Sequence, residues 1–219
     1  MTVGAIWRYP VKSMAGERLA AAELTTTGIA GDRIVQVYDR SGRLATARTF
    51  PRLLRLRATL GADGEPLVDG LPWQSAEIAE RVEMAVSPGA RLERFDGAER
   101  FDILPLLVCA DGTIETFGRD VRRLRPNLVI SGVTSGAEQE WQGAMLRLPT
   151  AEIGVADLRG RCVMTTYDPD TIAQDQGVLR DIVRRFEGRL CLNASVVKSG
   201  SIQLGQSVTL IPRESVNRR

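Results

Sequence analysis

The sequence predicts an α+β fold in which strands dominate. Three observations carry that expectation. Short runs of β-branched and aromatic residues alternate with polar ones along much of the chain. Apolar residues recur clearly at helical spacing in one segment, Val178 to Phe186. The strand–helix rhythm of a nucleotide-binding parallel sheet is missing, as are the G-x-G-x-x-G and Walker patterns. With 219 residues, the chain sits between one and two domains and hides about 70% of its unfolded surface.

In chain order, Ile34 to Tyr38 reads as a strand, Asp39-Arg40-Ser41-Gly42 as a turn, and Leu44 to Ala47 as the returning strand of a hairpin. Leu54, Leu56, Ala58 and Leu60 alternate with Arg55, Arg57 and Thr59, which predicts a half-buried strand. Residues 61–72 hold five Gly or Pro and predict loops. Ile103 to Val108 is an apolar run entering a strand or helix, and Pro105 argues against a central strand there. Gly118 to Arg125 carries five charges in eight residues and predicts a surface segment. Leu128-Val129-Ile130 reads as a buried strand, and Leu146-Arg147-Leu148 alternates again. The helix over 178–186 ends at Gly188, where a C-cap belongs. The last thirty or so residues return to strands, with Gly200 and Gly205 expected to bound a hairpin.

Composition excludes several chemistries. Histidine is absent, which removes Ser-His-Asp and Cys-His catalysis and His-ligated zinc or haem. The formal charge is only +2, so nothing about the whole chain argues for nucleic acid. All but two of the 29 cationic residues are arginine, the exceptions being Lys12 and Lys198. The three cysteines, Cys109, Cys162 and Cys191, form no C-x-x-C pair and are too few for a four-cysteine metal site. They predict no disulfide framework. The start of the chain has no apolar signal region, and its longest apolar stretch, Ile103 to Ala110, is far too short to span a bilayer. A soluble, reducing, cytoplasmic protein without membrane or nucleic-acid partners is expected.

Cys162 is the chemically suggestive cysteine. Arg159 and Arg161 flank it closely, and two guanidiniums pointing its way favour the thiolate, the reactive and metal-binding form. Cys109 and Cys191 sit in apolar runs and read as small core residues. Lys12 and Ser13 lie between Pro10 and Gly16, which bracket a turn. Arg33 follows Asp32, Arg48 closes Thr46-Ala47-Arg48, and Arg125-Pro126-Asn127 precedes a buried strand. Each cation alone is an ordinary surface group; converging, they make an anion site, since a guanidinium fork suits phosphate or carboxylate.

Three segments together resemble the MOSC family, the molybdenum-cofactor sulfurase C-terminal domain proteins. The nearest subgroup holds the mitochondrial amidoxime-reducing component and the bacterial YcbX-like proteins. The first segment is Tyr-Pro-Val-Lys-Ser at 9–13 with Gly16, Gly-Asp-Arg ending at Arg33, and Thr-Ala-Arg-x-x-Pro-Arg-Leu at 46–53. The second is Arg-Pro-Asn-Leu-Val-Ile-Ser-Gly at 125–132, with Glu138 and Trp141 after it. The third is Arg-Cys-x-x-Thr-Thr-x-Asp-Pro-Asp-Thr at 161–171, then Asn193-Ala194 and Gly-x-Ile-x-x-Gly at 200–205.

The resemblance implies a smaller β-rich, barrel-like N-terminal domain, placed at 1–85, and a β-barrel-like MOSC domain at 86–219, with molybdopterin-bound molybdenum between them. It implies that Cys162 ligates the metal, and that Lys12, Ser13, Arg33, Arg48, Arg125, Asn127 and Arg161 bind the cofactor. Asp168, in Asp-Pro-Asp-Thr, is a candidate general acid, although the same residues read as a plain turn. The implied activity is a molybdenum-dependent reduction of N-hydroxylated or related small molecules. Electrons would come from a separate ferredoxin- or flavin-type reductase, because the chain has no redox motif of its own. Two other readings stay open: a carrier holding a persulfide on Cys162, and a degenerate domain without cofactor. The sequence departs from the family at Asp102-Ile103-Leu104-Pro105-Leu106, where Ile103 and Leu104 replace small or hydroxyl residues. The helical segment that follows is also short, residues 109–124.

Overall fold

The computed structural model describes residues 1–95 and 97–213. Strand β1 (Thr2–Arg8) is followed by β2 (Glu17–Leu19), β3 (Ala21–Thr25) and β4 (Gly28–Ile29). The predicted hairpin forms from β5 (Val35–Tyr38) and β6 (Leu44–Ala45), with Val37 opposite Ala45. Its turn follows from its residues. The backbone N–H groups of Ser41 and Arg43 donate to Asp39 Oδ1, and Gly42 takes a φ of 77°, which costs glycine nothing.

Two expectations for the next stretch are corrected. Residues 54–60 are not one strand: Pro51–Arg55 is a 3-10 helix, and β7 covers only Ala58–Leu60. Pro51 opens that turn, and the N–H groups of Leu53 and Leu56 donate three residues back, to Phe50 and Leu53. Leu53 and Leu54 are both buried, whereas neighbours in a half-buried strand face opposite ways. Residues 61–72 are not only loops, because β8 (Pro66–Val68) and β9 (Leu71–Pro72) complete a meander with β7. Strands of two or three residues are too short to display alternation. Helix α1 (Ala76–Ala85) is also absent from the sequence reading. Its signals are local: Ile78 N–H donates to Ser75 Oγ at 3.4 Å, and Ile78 and Val82 are buried one turn apart. Strand β10 (Arg91–Arg94) returns beside β5.

Strand β11 (Leu106–Ala110) starts just after Pro105, so the proline removes no ladder hydrogen bond from this central strand. Then come α2 (Asp111–Phe117), β12 (Leu128–Ser131), β13 (Met145–Arg147) and β14 (Glu152–Gly160). The predicted helix is α3 (Gln176–Phe186), capped by Asp175, whose carboxylate accepts from Gly177 N–H. Glu187 and Gly188 end it at φ 52° and 77°. Strands β15 (Arg189–Lys198), β16 (Gly200–Gln203) and β17 (Thr209–Ile211) follow. Gly200 and Gly205 do not bound a hairpin, because β16 pairs with β3, Ile202 opposite Ala22. A partner that far along the chain leaves no local turn signal.

Among the described residues, one sheet has eight strands in the order β17-β13-β14-β15-β11-β12-β1-β2, and three sheets have three strands each. Within the large sheet only β11 and β12 run parallel, with α2 in the crossover between them. The sheet curls until residues 205–208, just before β17, meet the start of β1. Val3 N–H donates to Gln206 O, Gly205 N–H to Val3 O, and Val208 N–H to Met1 O. The result is barrel-like, but it is not a closed β-barrel: the ladder remains open at β17 and β2.

Three apolar cores follow. The first fills the curl and includes Ile6, Val108, Leu128, Ile130, Leu146, Ile153 and Leu192. The second, from residues 11 to 92, packs β5, β7 and α1 around Val35, Val37, Ala58, Ile78 and Val82. The third lies on the opposite face of β11 and β15, where Cys109 and Cys191 pack with Phe117, Val178 and Ile182. Strand alternation sends Val108 and Leu192 one way and Cys109 and Cys191 the other. Cys109 and Cys191 are joined in a disulfide, which corrects their reading as unpaired core cysteines. Each is the next residue in the ladder beyond the pair Val108–Leu192, and their Cα atoms lie 4.4 Å apart, within disulfide reach.

Candidate functional site

A cavity of about 310 Å³ opens between the loop after β1, the segment before β11, and the stretch from Arg159 to Met164. Lys12, Ser13, Arg33, Arg48, Arg125, Asn127, Arg161 and Cys162 all line it. Lys12, Arg33, Arg48, Arg123, Arg125, Arg159 and Arg161 set seven cations against one lining carboxylate, Asp102. Such a wall selects for an anion.

The backbone that presents these groups is unusual. Ser13, Arg33 and Arg125 adopt φ of 70°, 56° and 55°, in the left-handed region that side chains disfavour. Local bonds hold them there. Arg33 N–H donates to Tyr9 O, and Val11 bridges Val35 beside Lys12, whose N–H donates to Val35 O. Gly16 lets the loop close: a Cβ there would lie 2.2 Å from Arg8 O and 2.5 Å from Tyr9 Cδ1.

Buried Asp32 organises one side. It accepts from Tyr9 N–H at 2.7 Å and from Asn127 Nδ2 at 3.1 Å, and it pairs with Arg33. Asn127 also donates to Trp7 O, and its Oδ1 accepts from Leu107 N–H. The Asn127 amide is therefore spent on the fold, tying β1 to β11. The Arg125 and Arg33 guanidiniums lie 4.2 and 5.0 Å from the Tyr9 ring centre. Burial pushes the Tyr9 phenol up to about 12, against the pull of both arginines.

Asp102 organises the other side. It pairs with Lys12 at 2.9 Å, Arg48 at 2.7 Å and Arg159 at 3.3 Å. Lys12 Nζ also donates to Arg100 O at 2.7 Å. Burial alone would raise the Asp102 carboxyl; the charges of Lys12, Arg48 and Arg159 outweigh it and hold it below its ordinary value. Ile103 and Leu104 form an apolar stretch of the wall.

Four groups on the lining have no such commitment. The Ser13 hydroxyl and the Arg125 guanidinium make no hydrogen bond to another described residue. Arg161 donates from Nη2 to Leu124 O at 2.7 Å, but its buried Nε has no acceptor among the described residues. Cys162 is the free cysteine, half-buried. Burial pushes Arg125 and Arg161 down to about 10, with Arg159 adding to the effect at Arg161. A cation held against such a shift is a group short of an anion.

Asp168 is not brought to this cavity. Its Oδ1 accepts from the N–H groups of Asp170 and Thr171 and from the Thr171 hydroxyl, and Arg123 pairs with Oδ2 at 2.9 Å. The hydrogen bonds from Thr171 lead in holding its carboxyl below the ordinary value, and they close the turn that the sequence also reads there. Arg123, Arg159 and Asp102 are the charged lining groups absent from the predicted set. Arg159 is visible in sequence beside Cys162. Asp102 and Arg123 become legible only once distant segments converge.

Residues 1–85 match the MOSC N-terminal beta barrel domain, and residues 112–209 match the MOSC domain. Mitochondrial amidoxime-reducing component 1 of Mus musculus is 27% identical, aligned over 87% of this chain and 72% of its own length. The Homo sapiens protein of the same description is 26% identical over 78% of this chain and 67% of its own. The crystal structure of the YUAD protein from Bacillus subtilis superposes with a TM-score of 0.52 at 12% identity, covering 97% of this chain and 96% of that one. That likeness is one of fold. The two matched domains follow one another in the order in which the site-bearing segments do, and the chain belongs to the MOSC family.

Proposed function

We propose that the protein is a molybdenum-cofactor-dependent oxidoreductase that removes oxygen from N-hydroxylated small molecules. The observation that carries this reading is the convergence of uncommitted groups: Ser13, Arg125, the Arg161 Nε and the Cys162 thiol line one cationic cavity. Those residues suit an anionic pterin bearing a thiophilic metal. Its volume lies at the lower end of the ~300–1,000 Å³ typical of ligand pockets. Family membership and the amidoxime-reducing relatives support the same reading.

In this reading Cys162 supplies a soft sulfur ligand. Among the described residues no three metal-ligating side chains gather, so the remaining donors belong to the cofactor. Arg125 and Arg161 hold its anionic groups, and Ser13 donates a hydrogen bond. Lys12, Arg48 and Arg159, each already paired with Asp102, shape the rest of the wall. When bound, the cofactor supplies two-electron oxygen-atom transfer. The overall change converts N–OH, two electrons and two protons into N–H and water. The electrons come from a separate ferredoxin- or flavin-type donor.

The test is expression in a host rich in the cofactor, followed by metal and pterin analysis. A stoichiometric molybdopterin complex should reduce a simple aromatic amidoxime with a viologen donor, and Cys162→Ser should abolish that turnover. Retention of full activity by Cys162→Ser would overturn the mechanism. A chain without molybdenum but with a labile extra sulfur on Cys162 would replace it with sulfur transfer.

A further inference from the structure

A second cavity, of about 470 Å³, lies across a shared wall from the first. Arg123, Arg125 and Met164 line both. Nothing in the proposed function uses its other residues. Trp7 and Tyr167 present half-buried rings to it, and Leu54 and Pro169 add apolar surface. Arg55 and Arg57 are exposed on its lining, and neither guanidinium has a carboxylate partner among the described residues. Its one lining carboxylate, Asp170, is held by Arg122 through two contacts of 2.7 and 2.6 Å. The balance of uncommitted charge is therefore positive.

Trp7 points the same way. Its Nε1 is buried with no acceptor among the described residues. An indole kept without its hydrogen bond carries a cost that phenylalanine would not, and what it offers in return is a larger π-face on the cavity wall. Half-buried rings and unpaired guanidiniums on one lining define a ligand class.

We propose that this second cavity is a binding site for a planar aromatic anion, independent of the cofactor cavity. The aromatic part stacks against Trp7 and Tyr167, and the anionic group meets Arg55 and Arg57.

The test is equilibrium dialysis of the full chain against naphthoate, with and without cofactor. Cyclohexanecarboxylate, a non-planar anion, and naphthylmethanol, a planar neutral molecule, are the comparisons. Naphthoate should bind the cofactor-loaded chain at one site, about tenfold more tightly than either comparison, in line with a stacking contact and an ion pair, and that site should persist in the cofactor-free chain. The double variant Arg55→Gln/Arg57→Gln should weaken naphthoate about tenfold through two exposed ion pairs, with molybdenum content unchanged. Trp7→Phe should weaken it a few-fold without lowering the melting temperature, which separates lost stacking from lost folding. Equal binding of the three probes, or naphthoate affinity unmoved by the double arginine variant, would overturn the site. Neither result bears on molybdenum content or amidoxime turnover, so the two proposals fail separately.

Discussion

Arg161 shows how a single side chain can be tuned for a ligand at the expense of the empty fold. The side chain is half-buried, its Nε is buried and unpaired, and burial has pushed it down to about 10. A base whose folded value falls below its unfolded one is less favourably charged in the folded state. That cost is present at every pH below about 10. Replacing such a group with an apolar one of similar length is often stabilising. Arg161→Met should therefore raise the unfolding free energy of the cofactor-free chain by about 1 kcal/mol, read by chemical denaturation. The same variant should lose cofactor retention. A variant less stable than the parent would mean that the Nη2 bond to Leu124 O outweighs the burial cost. Arg125 differs in that its charge rests on the Tyr9 ring, so part of its burial is compensated.

The segment from Ala98 to Pro105 acts as a strap between the cores. Buried Arg100 donates to Thr27 O and Asp32 O, and its own carbonyl accepts from Lys12. Two residues on, Asp102 draws Lys12, Arg48 and Arg159 together. Asp102→Asn should leave three neighbouring cations to repel one another and cost about 1 kcal/mol, since the carboxylate is partly exposed to solvent. The sign of its pH dependence is fixed. A carboxyl held below its ordinary 3.8 contributes stability above that value and loses it as pH falls through the lowered one. The parent and Asp102→Asn should therefore differ at neutral pH, begin to converge in melts as the pH falls below about 4, and meet only below the lowered value. The loop after β1 meets a harder limit. Gly16→Ala would force a Cβ to 2.2 Å from a backbone oxygen, which the loop can relieve only by moving Lys12 and Ser13. A loss of about 2–3 kcal/mol in urea unfolding is expected.

At the scale of the whole molecule, legibility in the sequence followed locality. The hairpin at 35–45 and the helix at 176–186 were readable because their turn residues and periodicity lie within a dozen positions. Resemblance to a family brought Lys12, Arg33, Arg48, Arg125, Arg161 and Cys162 to one cavity, a convergence that neither spacing nor composition contains. Contacts that only the curled sheet creates stayed hidden: β16 on β3, residues 205–208 on β1, the Asp102 cluster, and above all the cystine. Cys109 and Cys191 are 82 residues apart, and nothing near either one announces the other. Their bond closes a loop that holds α2, β12 and β14 together with Cys162. In the chain-entropy picture, closing a loop of that length restricts the unfolded state by about 4.5 kcal/mol. Both cysteines are buried, Cys109 at 2% and Cys191 at 1% exposure, so the native chain should resist mild reductant. Thiol titration in denaturant should find one reactive group, Cys162, without reductant and three with it. The double variant Cys109→Ala/Cys191→Ala should unfold about 2–4 kcal/mol more easily while still taking up the cofactor, because the pair faces α3 rather than the cavity. Three reactive thiols in unreduced protein would show that the ladder holds the pair side by side as thiols, and the loss on double substitution would then shrink to that of two small core side chains.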